Sequence, residues 1–211
     1  MRPLLEAEHR VVVAELWQTR PLVDIALHAI PGRRAALVGT SLGGRAALEA
    51  AAAAPERVDA LVLIGTNPFG WSDAVRKLGQ DEEAQYDAGR LDEAAALMVR
   101  GWLVGARREE ADVPEDLRRR VFEMQRRAYE LDEEPGSGPL ELENVRAPML
   151  YIRGELDWPE VEDASHRFRN ARREVIEGAA HLPTMERPDE VARLILDFLA
   201  ERTAVPPPEP A

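Results

Sequence analysis

One run constrains this chain more than any other: Ala35-Ala36-Leu37-Val38-Gly39-Thr40-Ser41-Leu42-Gly43-Gly44-Arg45-Ala46-Ala47-Leu48. Its first four residues are apolar without a break, the pattern of a strand buried on both faces. Its Ala-rich end, running on into Glu49, reads as the start of a helix. Between the two lies Gly-x-Ser-x-Gly, which leaves almost no room to turn. A chain passing so abruptly from strand to helix forces Ser41 into strained backbone angles and lifts its hydroxyl clear of the sheet. Gly39 and Gly43 are both expected to be needed, because a side chain two residues to either side of the serine would crowd the bend. The helix opens directly behind Ser41, so its unpaired amides, that of Leu42 first, point where negative charge would grow on a substrate carbonyl. The plainer reading is a Gly-rich turn with an incidental serine.

Strand and helix patterns alternate around that turn. Leu4 to Glu8 reads as a short helix, and Arg10 to Leu16, with three valines in a row, as a buried strand. Pro21 opens a helix that Pro31-Gly32 stops. Asp59 to Ile64 is a further continuous apolar strand, and this spacing implies a parallel sheet with crossover helices. From Phe69 to Pro139 strand patterns vanish. Helical periods cover Asp81 to Gly89, Leu91 to Val104 and Pro114 to Leu131, followed by a hinge-like Pro135-Gly-Ser-Gly-Pro139. An insertion at this point of a parallel α/β sheet lies over the strand ends, where ligands bind; a purely structural subdomain is the alternative. Strands resume at Pro148 to Ile152 and Arg172 to Ile176, and Val191 to Arg202 is the last amphipathic helix. The predicted fold is therefore α/β: a mostly parallel sheet with flanking helices over 1–68 and 140–202, a helical cap insertion over 69–139, and a disordered Pro-rich tail over 203–211.

Asp157 and His181 each fall just past the end of a predicted strand, as Ser41 does. Parallel strands bring all three to one edge of the sheet, in the chain order Ser, Asp, His. The chemistry needs those types: a hydroxyl is a poor nucleophile until an imidazole takes its proton, and a carboxylate behind the ring holds the tautomer. Taken singly, Asp157 reads as a turn or capping residue, and Glu155 is a rival for the acid. His166, on a helix with Arg167 and Arg169 close by, reads as solvent-facing. Competing chemistries fall away on composition. There is no cysteine, which removes thiol catalysis, and His9, His28, His166 and His181 show no zinc-binding spacing. A net charge of −12 argues against nucleic acid and anionic membrane as partners. No apolar run approaches the ~20 residues that span a bilayer, and no secretory signal pattern opens the chain, so a cytoplasmic protein is expected.

These residues resemble the α/β-hydrolase fold family over nearly the whole chain. Gly39-Thr-Ser-Leu-Gly43 is similar to its nucleophile elbow, Gly154-Glu-Leu-Asp157 to its acid turn, and Gly178-Ala-Ala-His181-Leu-Pro-Thr-Met-Glu-Arg-Pro188 to its histidine loop. The insertion, with Leu91-Asp-Glu-Ala and Gly101-Trp102, is similar to the cap of 3-oxoadipate enol-lactone hydrolase-like members. The resemblance implies Ser41 as nucleophile, His181 as base and then acid, Asp157 as its orienter, and the Leu42 N–H as an oxyanion donor. It implies hydrolysis of a small-molecule ester or lactone through an acyl-enzyme, with no metal or organic cofactor. Phe69, Trp71, Trp102 and Trp158 are the candidate pocket aromatics, with plain core packing as their alternative. A C–C bond hydrolase or a general carboxylesterase would use the same triad, and homo-oligomerisation is left open. One departure stands out: only forty residues precede Ser41, without the His-Gly turn that donates the second oxyanion N–H in the family. The expectation is a shortened front end, with Arg10 to Leu16 pairing directly beside the elbow strand or a hydrophobic edge left open. A non-catalytic member lacking a complete oxyanion hole is the rival class.

Overall fold

The computed structural model describes residues 1–131 and 135–203. Four parallel strands stand in the order β1 (Ala35–Thr40), β2 (Val58–Ile64), β3 (Met149–Gly154) and β4 (Ala171–Ile176). In register, Thr40 lies beside Ile64, Ile64 beside Ile152, and Gly154 beside Ile176. All C-terminal ends therefore meet along one edge. The helices are α1 (Arg2–Glu6), α2 (Leu22–Ala29), α3 (Leu42–Ala53), α4 (Asp73–Asp87), α5 (Leu91–Met98), α6 (Glu115–Leu131), α7 (Pro159–Arg167), α8 (Pro183–Glu186) and α9 (Pro188–Thr203). α4, α5 and α6 fill the interval between β2 and β3, where the sequence predicts helical periods. None of the helices is long and apolar enough to cross a membrane.

Alternation along the strands divides the core. Ala60, Val62 and Ile64 of β2, with Leu150 and Ile152 of β3, pack against Val191, Ile195 and Phe198 of α9. Leu61, Leu63 and Tyr151 face the other way, onto Ala47, Leu48 and Ala51 of α3. Both faces of β2 are covered, which is why its sequence is apolar at nearly every position. Each fully buried Leu, Val or Ile contributes about 1.5–3 kcal/mol. α9 begins at Pro188 with Asp189 and Glu190 in its first turn, where the helix dipole favours carboxylates.

Three local expectations are revised. Residues 10–16 form no strand, and Val12 and Val13 are 45% and 62% exposed. Val11 packs on the α9 side with Ala36, whereas Leu16 packs with Leu37 near α2 and α3. The segment thus passes around the rim of β1 instead of running along it, and β1 is an edge strand of the sheet. Three β-branched residues favour an extended chain, but a strand needs ladder partners that this path does not offer. The stretch 135–139 is also no free hinge. The Leu22 N–H donates to the Gly136 carbonyl at 2.9 Å, and the Gly138 N–H donates to the Glu49 carboxylate at 3.2 Å. Arg45 bonds both Glu49 and the Gly138 carbonyl at 2.6 Å, so an ion pair on α3 between half-buried Arg45 and buried Glu49 holds this strap. Finally, the helix expected over Leu91 to Val104 changes to a π turn at Val99–Val104. The tail expected over 203–211 lies, from residue 204 on, outside the described residues.

Candidate active site

β1 ends at Thr40 and α3 begins at Leu42, leaving Ser41 alone to make the turn. It does so at φ 50°, the one positive φ among the described non-glycine residues. Such a conformation is uncommon and costs about 1–3 kcal/mol, which neighbouring contacts must offset. Two are evident: the Ser41 N–H donates to the Ile64 carbonyl at 2.8 Å, and the Arg45 N–H donates to the Ser41 carbonyl at 3.1 Å. The amides of Leu42, Gly43 and Gly44 precede the first complete helical turn and are left for an acceptor beyond the helix. A Cβ on Gly39 would sit 2.2 Å from the backbone of Gly43, and one on Gly44 would collide with the Thr66 side chain. Gly43 differs: a Cβ there meets only the Leu16 side chain at 3.7 Å, so the crowding expected on both sides of the serine exists on one.

β3 and β4 deliver the other two groups to the same edge. The His181 ring is buried, with Nδ1 2.9 and 3.1 Å from the two oxygens of Asp157 and Nε2 3.1 Å from Ser41 Oγ. A carboxylate only accepts, so the proton belongs on Nδ1, which donates to Asp157. Nε2 is then free to accept from the serine hydroxyl. Asp157 Oδ1 also accepts the Trp158 N–H at 2.8 Å. Glu155, the rival acid, accepts the Gly178 N–H at 2.9 Å, while the imidazole is bonded by Asp157. His166 is exposed on α7. Beneath the site, Tyr151 donates to the Thr66 carbonyl at 2.5 Å. Burial raises the pKa of this phenol, and the nearby Asp157 carboxylate raises it further, so the hydroxyl keeps its proton.

The four aromatics separate. Trp102 lies on the His181 ring at 4.4 Å between centroids, and Trp71 stands edge-on at 6.3 Å from His181 and 5.4 Å from Trp102. Trp158 is 6.4 Å from Trp102 and donates its indole N–H to the Gly101 carbonyl at 3.1 Å. The contacts of Phe69 run elsewhere, to Phe168 at 5.3 Å and to the Arg167 guanidinium 3.6 Å above its ring. Phe69 is half-buried and packs on the same core cluster as Trp71 and Trp158. A cavity of about 650 Å³ opens on the far side of the π turn, lined by Val99, Arg100, Val104 and Phe122, and none of Ser41, Asp157 and His181 borders it.

Two contributors were not anticipated from the sequence. Glu186 of α8 accepts the Ala180 N–H at 2.8 Å, next to His181, and pairs with Arg108 at 2.7 Å in a buried contact. Glu186 stands five residues after the histidine, a usable signal; Arg108 carries no sequence signal at all.

A model of the alpha/beta hydrolase family matches residues 5–194. No protein of curated function matches the chain in sequence. Among solved structures, MGS-M2, an alpha/beta hydrolase enzyme from a Medee basin deep-sea metagenome library, is 18% identical with a TM-score of 0.67, over 89% of this chain and 74% of its own. A hydrolase from Pseudomonas aeruginosa PA01 is 24% identical with a TM-score of 0.65, over 90% and 74% respectively. A thermophilic esterase from Thermogutta terrifontis is 18% identical with a TM-score of 0.62, over 92% and 75%. At such identities the likeness is one of fold.

Proposed function

The chain belongs to the alpha/beta hydrolase family, and from that premise we propose that it is a serine hydrolase cleaving a small carboxylic ester or lactone. The observation that carries the reading is the continuous relay from Ser41 Oγ through His181 to Asp157, each link near 3 Å. In this reading His181 Nε2 takes the hydroxyl proton as Ser41 attacks the substrate carbonyl, and Asp157 stabilises the imidazolium that forms. The Leu42 N–H receives the developing oxyanion. The imidazolium then returns its proton to the departing alkoxide, and water attacks the resulting acyl-enzyme by the same route in reverse. For a lactone the leaving oxygen stays tethered to the acyl group.

Trp71, Trp102 and Trp158 are assigned to the apolar wall beside the acyl carbonyl, and the helices of 69–139 to a cap over it. The enol-lactone class rests on the resemblance of that insertion and is the finer part of the proposal. The charge of −12 supports the reading that neither nucleic acid nor an anionic membrane is a partner. The competing, binding-only reading draws on the forty residues before Ser41, which hold no His-Gly turn to donate a second oxyanion N–H.

A fluorophosphonate probe separates the two. It is expected to label Ser41, and Ser41→Ala is expected to abolish labelling while stability stays within about 1 kcal/mol. Folded wild-type protein that takes no label would falsify the catalytic assignment. Turnover of nitrophenyl esters against enol-lactones then ranks the substrate classes, and lactone turnover no faster than background removes the finer claim.

A further inference from the structure

We propose that Arg108 is a positioning residue, whose guanidinium joins the end of the π turn carrying Trp102 to the loop carrying His181 and so sets the two rings against each other. The inference rests on the reading of His181 as the general base.

Its contacts fall into two groups. Toward the π turn, Nε donates to the Val104 carbonyl at 3.2 Å and Nη2 donates to the Leu103 carbonyl. These are terminal carbonyls of the turn, which closes at Gly105 with φ 76° and so has no further residues to supply donors. Toward the histidine loop, Nη1 donates to the Gly178 carbonyl at 3.0 Å, and Nη2 pairs with Glu186 at 2.7 Å. Glu186 in turn receives the Ala180 N–H at 2.8 Å. Both charges are removed from solvent, with side-chain exposures of 10% and 3%.

One planar cation thus bonds the backbone of the π turn at Leu103 and Val104, on the C-terminal side of Trp102. It also bonds the backbone of the histidine loop at Gly178 directly, and at Ala180 through Glu186. Apolar contact runs alongside, since Leu182 and Met185 pack with Val99, Leu103 and Val104. Those contacts would hold the two segments together but are adaptable in register. A forked, fixed-geometry donor is not. Only arginine offers enough N–H groups in one plane to reach three carbonyls and a carboxylate together. A lysine would keep the charge beside Glu186 and lose the fork.

The test uses full-length protein carrying Arg108→Lys. Two readouts are taken, one of which needs no turnover. The first is the His181 ring proton resonance, identified by its disappearance in His181→Gln and expected to be displaced upfield by the Trp102 ring 4.4 Å away. In Arg108→Lys that upfield displacement is expected to shrink by at least half. The second is the rate of fluorophosphonate inactivation, expected to fall at least tenfold at unchanged probe affinity, within the roughly hundredfold that a shift of about 1 Å can cost. If the lysine variant does not fold, the charge-neutral pair Arg108→Met with Glu186→Gln is measured in its place and is expected to show the same two losses. A folded variant with the wild-type resonance position overturns the proposal, whatever its labelling rate. So does a moved resonance with inactivation within twofold of wild type. Wild-type protein that takes no label defeats the hydrolase reading, and this proposal with it, and is told apart from failure of the proposal alone, in which wild type is labelled and Arg108→Lys fails one of the two readouts.

Discussion

Replacing each motif glycine by alanine is expected to give opposite results. At Gly39 the added Cβ would lie 2.2 Å from both the carbonyl carbon and the oxygen of Gly43. Ordinary carbon contacts stand at about 3.5–4.0 Å, so one backbone must retreat by more than about 1 Å. The atoms in the way belong to the first turn of α3 and cannot rotate aside like a side chain. Overpacking of this kind costs about 1–3 kcal/mol, and a rigid backbone places Gly39→Ala at or above the upper end, about 3 kcal/mol. The retreat also carries the Leu42 amide away from the carbonyl it is proposed to polarise. At Gly43 the new methyl meets only the Leu16 side chain at 3.7 Å, an ordinary contact. The position lies in α3, where alanine is the better helix former by up to about 1 kcal/mol. Gly43→Ala is therefore expected to be neutral or mildly stabilising. Thermal unfolding followed by circular dichroism reads both: at about 2–4 °C per kcal/mol for a chain this size, Gly39→Ala should melt about 6–12 °C lower and Gly43→Ala at or slightly above wild type. Equal destabilisation by the two substitutions would refute the reasoning, because it would mean that the elbow is crowded on both sides.

Two further substitutions probe the site from beneath and behind. Asp157→Asn keeps an acceptor for the Trp158 N–H but removes the charge that holds the proton on Nδ1, so ester turnover is expected to drop by about 10⁴ with the fold intact; a loss below tenfold on nitrophenyl esters would show that the carboxylate does not orient the ring. Tyr151→Phe strips the donor from the buried Thr66 carbonyl and is expected to cost about 1–3 kcal/mol in urea unfolding without changing the labelling rate of Ser41, and a variant as stable as wild type would mean that another donor serves that carbonyl.

Much of the edge that carries the candidate site was legible because it depends on local rules and on one topological rule. An unbroken apolar run, a Gly-x-Ser-x-Gly turn and an Ala-rich helix can be read from adjacent residues, and parallel strands must end on the same side. That places Ser41, Asp157 and His181 together before any distance is known. Where neighbours in sequence were not the deciding neighbours, the reading went astray. Val11, Val12 and Val13 have every preference for a strand, yet a strand exists only where another backbone accepts its hydrogen bonds, and the chain there turns around β1 instead. Pro135 to Pro139 has the composition of a hinge, and it is held through Gly138 by Glu49 and Arg45, which lie 89 and 93 residues earlier.

The aromatics make the same point at the site itself. Four rings were equal candidates by residue type. Phe69 packs beside Phe168, and Trp102, carried on the π turn at Val99–Val104, lies against the imidazole. The amino-acid order alone determined the elbow, the sheet it terminates and the order in which Ser41, Asp157 and His181 arrive. Only the tertiary structure decided which glycine is crowded, which tryptophan meets the histidine, and that Arg108 and Glu186 brace the loop. Backbone preferences and strand polarity act between near neighbours or by direction, whereas steric contact and the pairing of buried charges depend on which distant segments share the same few ångströms.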